Sequence, residues 1–198
     1  MRCSPFLERI VFMWIYFVIM VGVVLLDQVT KQIVLATLEV GESVPLIPNV
    51  FHFTHIKNDG AAFGMLDNAR WIFIVISLAA VVGIVFYLVK YRPKNPWLYI
   101  PVSMIAGGGV GNLIDRLFYG ESFGNGLVVD FLDFCAFPYL WKWIFNVADA
   151  FVVVGAFILL GYLLIDIIKD YKQEIQQKAA VAEGSNETDV SDEDKHEG

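Results

Sequence analysis

Apolar residues run almost unbroken through four stretches of this chain, at about 10–26, 71–89, 97–114 and 144–168. A helix needs about 17–25 mostly apolar residues to cross a bilayer. Backbone groups in hydrocarbon must find partners within their own segment, so the pattern predicts four transmembrane helices. Between them the pattern changes. In 40–70, Gly41, Pro45, Pro48 and Gly60 punctuate a run of β-formers, Val50, Phe51, Phe53, Thr54 and Ile56, which reads as short strands. In 118–143, Gly120, Gly124 and Gly126 mix with Phe, Trp and Tyr, residues that favour the membrane–water boundary. The expected fold is a mainly α membrane protein of four transmembrane helices, with a small extracytoplasmic β-rich segment and an interfacial arm.

Basic residues orient that topology. Arg2 and Arg9 precede the first apolar stretch, Lys90, Arg92 and Lys94 fill the second connection, and Lys169 and Lys172 follow the fourth stretch. All three clusters fall on one side, which the positive-inside rule makes cytoplasmic, with both termini. The first stretch is long for a signal peptide. It leads into Asp27-Gln28-Val29-Thr30-Lys31 with no small-residue cleavage site, so it reads as a retained helix.

Composition agrees: 57% of the 198 residues are hydrophobic and only 18% charged, against about 25% charged in a soluble domain. The net charge of −7 misleads. Residues 171–198 carry eight acids and three bases, leaving the body near neutral. The chain divides into a membrane domain at 1–170 and an acidic cytoplasmic tail at 171–198, expected to be disordered because it is too poor in apolar residues to fold alone. Asn186-Glu187-Thr188 spells a glycosylation sequon, without meaning on the cytoplasmic side. No basic stripe suggests nucleic acid. Two cysteines, Cys3 and Cys135, do not indicate a disulfide framework, and His52 and His55 read as structural or surface residues.

Ionisable residues at the edges of membrane helices are costly and are functional candidates by default. Asp27 and Lys31, four apart, share a helix face; alone they read equally well as an interfacial ion pair. Asn58-Asp59-Gly60-Ala61-Ala62-Phe63-Gly64 suits close backbone approach to a ligand, or simply a tight turn. In Gly107-Gly108-Gly109-Val110-Gly111-Asn112-Leu113-Ile114-Asp115-Arg116, the glycines allow close helix packing. Asn112, Asp115 and Arg116 fall on one face, and Arg116 can hold a carboxylate through two parallel hydrogen bonds. Val128-Val129-Asp130-Phe131 sets a carboxylate among apolar neighbours, and Phe145-Asn146-Val147-Ala148-Asp149 sets another at a helix start. Either Asp alone also fits a carboxylate at a helix N-terminus.

Two carboxylates facing each other away from water cannot both ionise cheaply, so they share a proton. The ionised member can then take a proton from water while the protonated one supports a carbonyl oxygen, the division of labour of aspartic proteases. Other protease chemistries fit poorly: the chain has neither His-Glu-x-x-His nor Gly-x-Ser-x-Gly.

Five strings, in order, resemble the bacterial lipoprotein signal peptidase family (signal peptidase II): Asp27-Gln28-x-Thr30-Lys31, Asn58-x-Gly60-Ala61-Ala62-Phe63, Gly111-Asn112-x-x-Asp115-Arg116, Val128-Val129-Asp130-Phe131 and Phe145-Asn146-x-Ala148-Asp149. The resemblance spans roughly residues 15–165. It implies a catalytic pair at Asp130 and Asp149, supported by Asp27, Lys31, Asn58, Gly111, Asn112, Asp115, Arg116 and Asn146. It implies a monomer in the bacterial inner membrane, among its lipids, with a site near the outer leaflet. The implied substrate is a diacylglyceryl-modified prolipoprotein, cut just before the lipidated Cys, with no metal or organic cofactor. Asp133 departs from the pattern. If 127–133 is helical, Asp130 and Asp133 could both face the site; if extended, they face opposite ways. The competing reading is a non-enzymatic membrane transport or lipoprotein-binding protein, which would not need two matched carboxylates.

Overall fold

The computed structural model describes residues 5–59, 70–136 and 143–193. Its elements run α1 (Pro5–Thr37), β1 (Ser43–Ile47), β2 (Phe51–Asn58), α2 (Arg70–Tyr91), α3 (Pro96–Phe118), β3 (Val128–Phe134), β4 (Ile144–Phe145) and α4 (Val147–Glu193). Four helices are long and apolar enough to cross a membrane. The string Gly60-Ala61-Ala62-Phe63-Gly64 lies outside the described residues, as do Cys3 and part of the expected arm, 137–142.

The first helix runs eleven residues past the expected end at 26, because the polar residues that follow are satisfied inside the protein. Asp27 and Lys31 are both fully buried, with Nζ 2.8 Å from Oδ2. The start of α3 follows local rules. Asn95 accepts the Trp97 N–H through its side chain, and Pro96 sits in the first turn, where no N–H is needed.

Half of the apolar window of α3 is buried, against 17% for α1 and 11% for α2, which makes α3 the inner helix of the three. Glycines set its approach to its neighbours. A Cβ on Gly107 would lie 2.8 Å from Val23 Cβ, and one on Gly108 2.5 Å from the Ala148 carbonyl oxygen. Most of the apolar residues that remain exposed, Trp14, Phe17, Leu25, Val75, Phe86 and Phe157 among them, lie on the transmembrane helices. An aqueous surface would not tolerate such a band. At one end, Tyr16, Leu88 and Val102 form a core cluster, and Tyr16 donates to the Pro93 carbonyl at 2.7 Å.

At the other end Val34, Val129 and Phe131 pack with Leu38, Phe53, Leu132 and Val147, joining α1 to a four-stranded antiparallel sheet of order β1-β2-β3-β4. β3 comes from the segment read as an interfacial arm, and β4 from the first two residues of the fourth apolar stretch, which pair as strand before the helix begins. The arm segment is therefore partly sheet, paired with β2 through His52–Asp133 and Ile56–Asp130. β3 is extended, so Asp133 points to the face opposite Asp130.

The chain forms two compact units, Met1–Leu159 and Leu160–Gly198. In the second, α4 continues to Glu193, through the tail whose composition suggests no structure. Lys, Gln, Glu and Ala favour helix locally, and Glu174 and Lys178 pair one turn apart at 2.6 Å.

Candidate active site

Four elements bring polar groups to the sheet end of the helices. α1 supplies Asp27, Gln28 and Lys31, α3 supplies Asn112 and Asp115, β3 supplies Asp130, and the start of α4 supplies Asn146 and Asp149. All but Gln28 and Asp149 are buried.

The centre is Lys31. Its ammonium has three N–H groups and three acceptors: Asp27 at 2.8 Å, Asp115 at 2.7 Å and Asn112 Oδ1 at 2.9 Å. Gln28 Nε2 adds a donor to both carboxylates, at 3.0 Å to Asp115 and 3.2 Å to Asp27. Such a cluster survives burial only because every charge has partners. The two carboxylates then reach outward to different elements. Asp27 Oδ1 accepts the Ala148 N–H at 2.9 Å, fixing the first turn of α4 one residue before Asp149. Asp115 Oδ2 accepts the Val129 N–H at 3.2 Å, fixing β3 one residue before Asp130.

Asn146 and Asp149 close the start of α4 reciprocally. Asn146 Oδ1 accepts the Asp149 N–H at 2.9 Å and Asp149 Oδ2 accepts the Asn146 N–H at 3.3 Å, a capping box. This holds the Asp149 carboxylate at the positive end of the helix dipole.

Asn112 and Asn146 join the pieces. Asn146 Nδ2 donates to Asp130 Oδ1 at 2.6 Å and to Asn112 Oδ1 at 2.9 Å, and Asn112 Nδ2 donates to Asp149 Oδ1 at 2.6 Å. Asn58 Nδ2 donates to Asp130 Oδ2 at 2.8 Å. An unbroken chain of hydrogen bonds thus runs from Lys31 through the two amides to both carboxylates. Burial, then the charge of Asp149, pushes the Asp130 pKa up to about 7. The amides of Asn58 and Asn146 pull the other way. Two carboxylates in one field, one of them held near neutrality, are what sharing a proton requires.

Gly111 has a steric reason to be glycine: a Cβ there would sit 2.5 Å from Asp27 Oδ2. Arg116 departs from its expected two-bond grip on a carboxylate. Among the described residues, it donates to the Asn112 carbonyl at 3.3 Å, and its guanidinium lies 5.7 Å from the Phe73 ring centre. Its charge still acts on Asp149, Asp115 and Asp130. His55 is structural, buried with Nδ1 2.9 Å from the Leu38 carbonyl. Sequence reasoning passed over Gln28 and Tyr119. The Tyr119 hydroxyl donates to Gln28 Oε1 at 2.7 Å, a tie between residues 91 positions apart that no local spacing reveals. Beside the site a cavity of about 390 Å³ is lined by Thr30, Val34, Val44, Phe53, Phe131 and Val147 among others, and it is almost wholly apolar.

Known proteins are similar to this chain in sequence and fold. Residues 19–165 match the family described as Signal peptidase (SPase) II. A lipoprotein signal peptidase of Brevibacillus brevis is 44% identical over 163 residues, covering 81% of this chain and 99% of that protein. One from Pelotomaculum thermopropionicum is 42% identical over 158 residues, covering 80% and 97%. A solved chain described as "Bacterial membrane enzyme structure by the in meso method at 2.3 A resolution" is 34% identical, with a TM-score of 0.67, over 77% of this chain and 88% of that one. With its four apolar helices, this is a multi-pass membrane protein, and it belongs to the signal peptidase II family of aspartic proteases.

Proposed function

We propose that this enzyme removes the signal peptide from diacylglyceryl-modified prolipoproteins just before the lipidated Cys, with Asp130 and Asp149 as its catalytic pair. The observation that carries this reading is the amide bridge: Asn112 and Asn146 hold one carboxylate each and bond to one another. The named relatives are lipoprotein signal peptidases, which supports the substrate class.

In the proposed mechanism Asp130 holds the shared proton at neutral pH, consistent with its raised pKa. Asp149, at the start of α4, takes a proton from water as that water attacks the scissile carbonyl. Asp130 gives its proton to the carbonyl oxygen to complete a tetrahedral diol. The diol collapses as Asp149 passes the water's proton to the leaving nitrogen and Asp130 takes a proton back from a diol hydroxyl, releasing the amine. Asn58 keeps Asp130 oriented toward the substrate. Asp27, Lys31, Asn112, Asp115 and Asn146 position the pair, Gly111 admits Asp27 between helices, and Arg116 supplies positive charge. The apolar cavity next to Phe131 and Val147 suits hydrocarbon from the substrate. The chain works as a monomer in the inner membrane, in contact with its lipids. Its termini are cytoplasmic and its site lies near the outer leaflet, as the basic residues at 90–94 and 169–172 support.

The test uses purified protein in lipid, with one prolipoprotein supplied with and without its diacylglyceryl group, and the product mass measured. The proposal expects cleavage of the modified form alone, leaving the modified Cys as the new N-terminus. Cleavage elsewhere, or equal cleavage of both forms, contradicts it.

A further inference from the structure

The sheet presents a second polar group on the face away from Asp130. His52 on β2 is paired with Asp133 on β3, and Cys135 follows directly after the strand. An imidazole nitrogen, a carboxylate oxygen and a thiol sulfur from these three residues lie within 4.8 Å of one another. All three side chains are half-buried.

Two details make this more than a chance grouping. The Nε2 atom of His52 is buried without a hydrogen-bond partner among the described residues, and a buried polar atom left so is costly and calls for an explanation. The other atoms of the group are held from behind. Thr54 Oγ1 donates to Asp133 Oδ2 at 2.7 Å, Ser43 Oγ lies 2.8 Å from Thr54 Oγ1, and His52 Nδ1 lies 3.4 Å from Ser43 Oγ. A metal-binding histidine characteristically donates its second ring N–H to an oxygen, which fixes the lone pair on the first. Ser43 is placed to accept that bond from Nδ1, which would leave the lone pair on Nε2 for a cation. Cys135 is a free thiol, with Sγ 3.6 Å from the Asp133 carbonyl oxygen.

We propose that His52, Asp133 and Cys135 bind a zinc-class divalent transition metal on this face of the sheet. The mixed nitrogen, oxygen and sulfur donor set suits Zn²⁺, which takes all three ligand types and leaves a fourth tetrahedral position to water. Binding displaces the thiol proton to solvent and forms the metal–thiolate bond, with no change in oxidation state. Metal–ligand bonds of about 2.0–2.3 Å require the donors to close up by roughly 1 Å, within reach of side-chain rotation. The site would tie β2 to β3 and to the chain that leaves β3. It is separate from the proposed catalytic pair, and its loss should leave peptide cleavage intact.

The test uses full-length protein without a histidine tag, stripped with chelator and titrated with Co²⁺. The expected result is a thiolate-to-cobalt charge-transfer band that saturates at one Co²⁺ per chain and is displaced by Zn²⁺. His52→Ala and Asp133→Asn, which keep the sulfur, should each weaken binding more than about tenfold, as should Ser43→Ala to a smaller extent. Cleavage of prolipoprotein serves as the check that each variant is folded, and Asp133→Asn gives an independent answer if His52→Ala fails that check. Cys3→Ser should leave the band unchanged. No band in the wild-type protein, or a band that survives in both folded variants, overturns the proposal.

Discussion

A single ammonium, Lys31, stands between the carboxylates that anchor the two strand and helix segments of the site. Replacing it by Met leaves Asp27 and Asp115 buried and facing each other without a cation. Breaking a buried ion pair by removing one partner costs about 3–5 kcal/mol. Lys31→Met should therefore lower the melting temperature in detergent sharply, and Lys31→Met combined with Asp27→Asn should cost less than the sum of the two changes. Equal and additive effects would mean that the cluster is not coupled. Asp130 makes a second residue-scale prediction. Its pKa is about 7 in the fold and about 3.9 in an unfolded chain, so the folded state binds the proton more tightly. The stability this group contributes is present below about pH 4 and is lost as pH rises through about 7, by up to about 4 kcal/mol. Asp130→Asn should flatten the dependence of melting temperature on pH across that window. An unchanged slope would show that Asp130 titrates elsewhere.

At the scale of elements, the contact between α1 and α3 depends on Gly111. A Cβ there would meet Asp27 Oδ2, and overpacking of this kind costs about 1–3 kcal/mol. Gly111→Ala should destabilise by that amount and reduce cleavage. Gly161→Ala, where a Cβ meets nothing within 4 Å, should be neutral or stabilising by up to about 1 kcal/mol. A melting series on the two variants checks both. The helices themselves were legible in the sequence because stretches of about 17–25 mostly apolar residues leave few alternatives. Their ends were less so: α1 outruns its apolar stretch because Asp27 and Lys31 find partners 81 to 121 residues away, which local pattern cannot express. The same holds for β3. Its residues read as an aromatic arm, and only pairing with β2 makes them sheet. The polar residues Asp27, Lys31, Asn58, Asn112, Asp115, Asp130, Asn146 and Asp149 were singled out by their place at helix and strand ends and by the family strings, and the fold brings them together. What spacing could not convey is which oxygen meets which amide, or that Arg116 turns toward Phe73.

For the whole molecule, the boundary that composition suggests near residue 170 predicts that the membrane domain acts without its acidic tail. A chain ending at Lys172 should cleave with unchanged turnover, and a lost or slowed reaction would give the tail a role in the enzyme. The orientation is tested by single cysteines placed in a background lacking Cys3 and Cys135. Asn95→Cys should react with an impermeant thiol reagent only from the cytoplasmic side, and Ser122→Cys only from the opposite side. The reverse pattern would put the proposed site at the wrong leaflet. The most direct test of the central claim compares wild type, Asp130→Asn and Asp149→Asn in cleavage of a verified lipid-modified prolipoprotein, each variant shown by melting to be folded. The account predicts that both variants still bind the substrate and neither releases signal peptide at a measurable rate. Turnover close to wild type in either folded variant would contradict the catalytic pair.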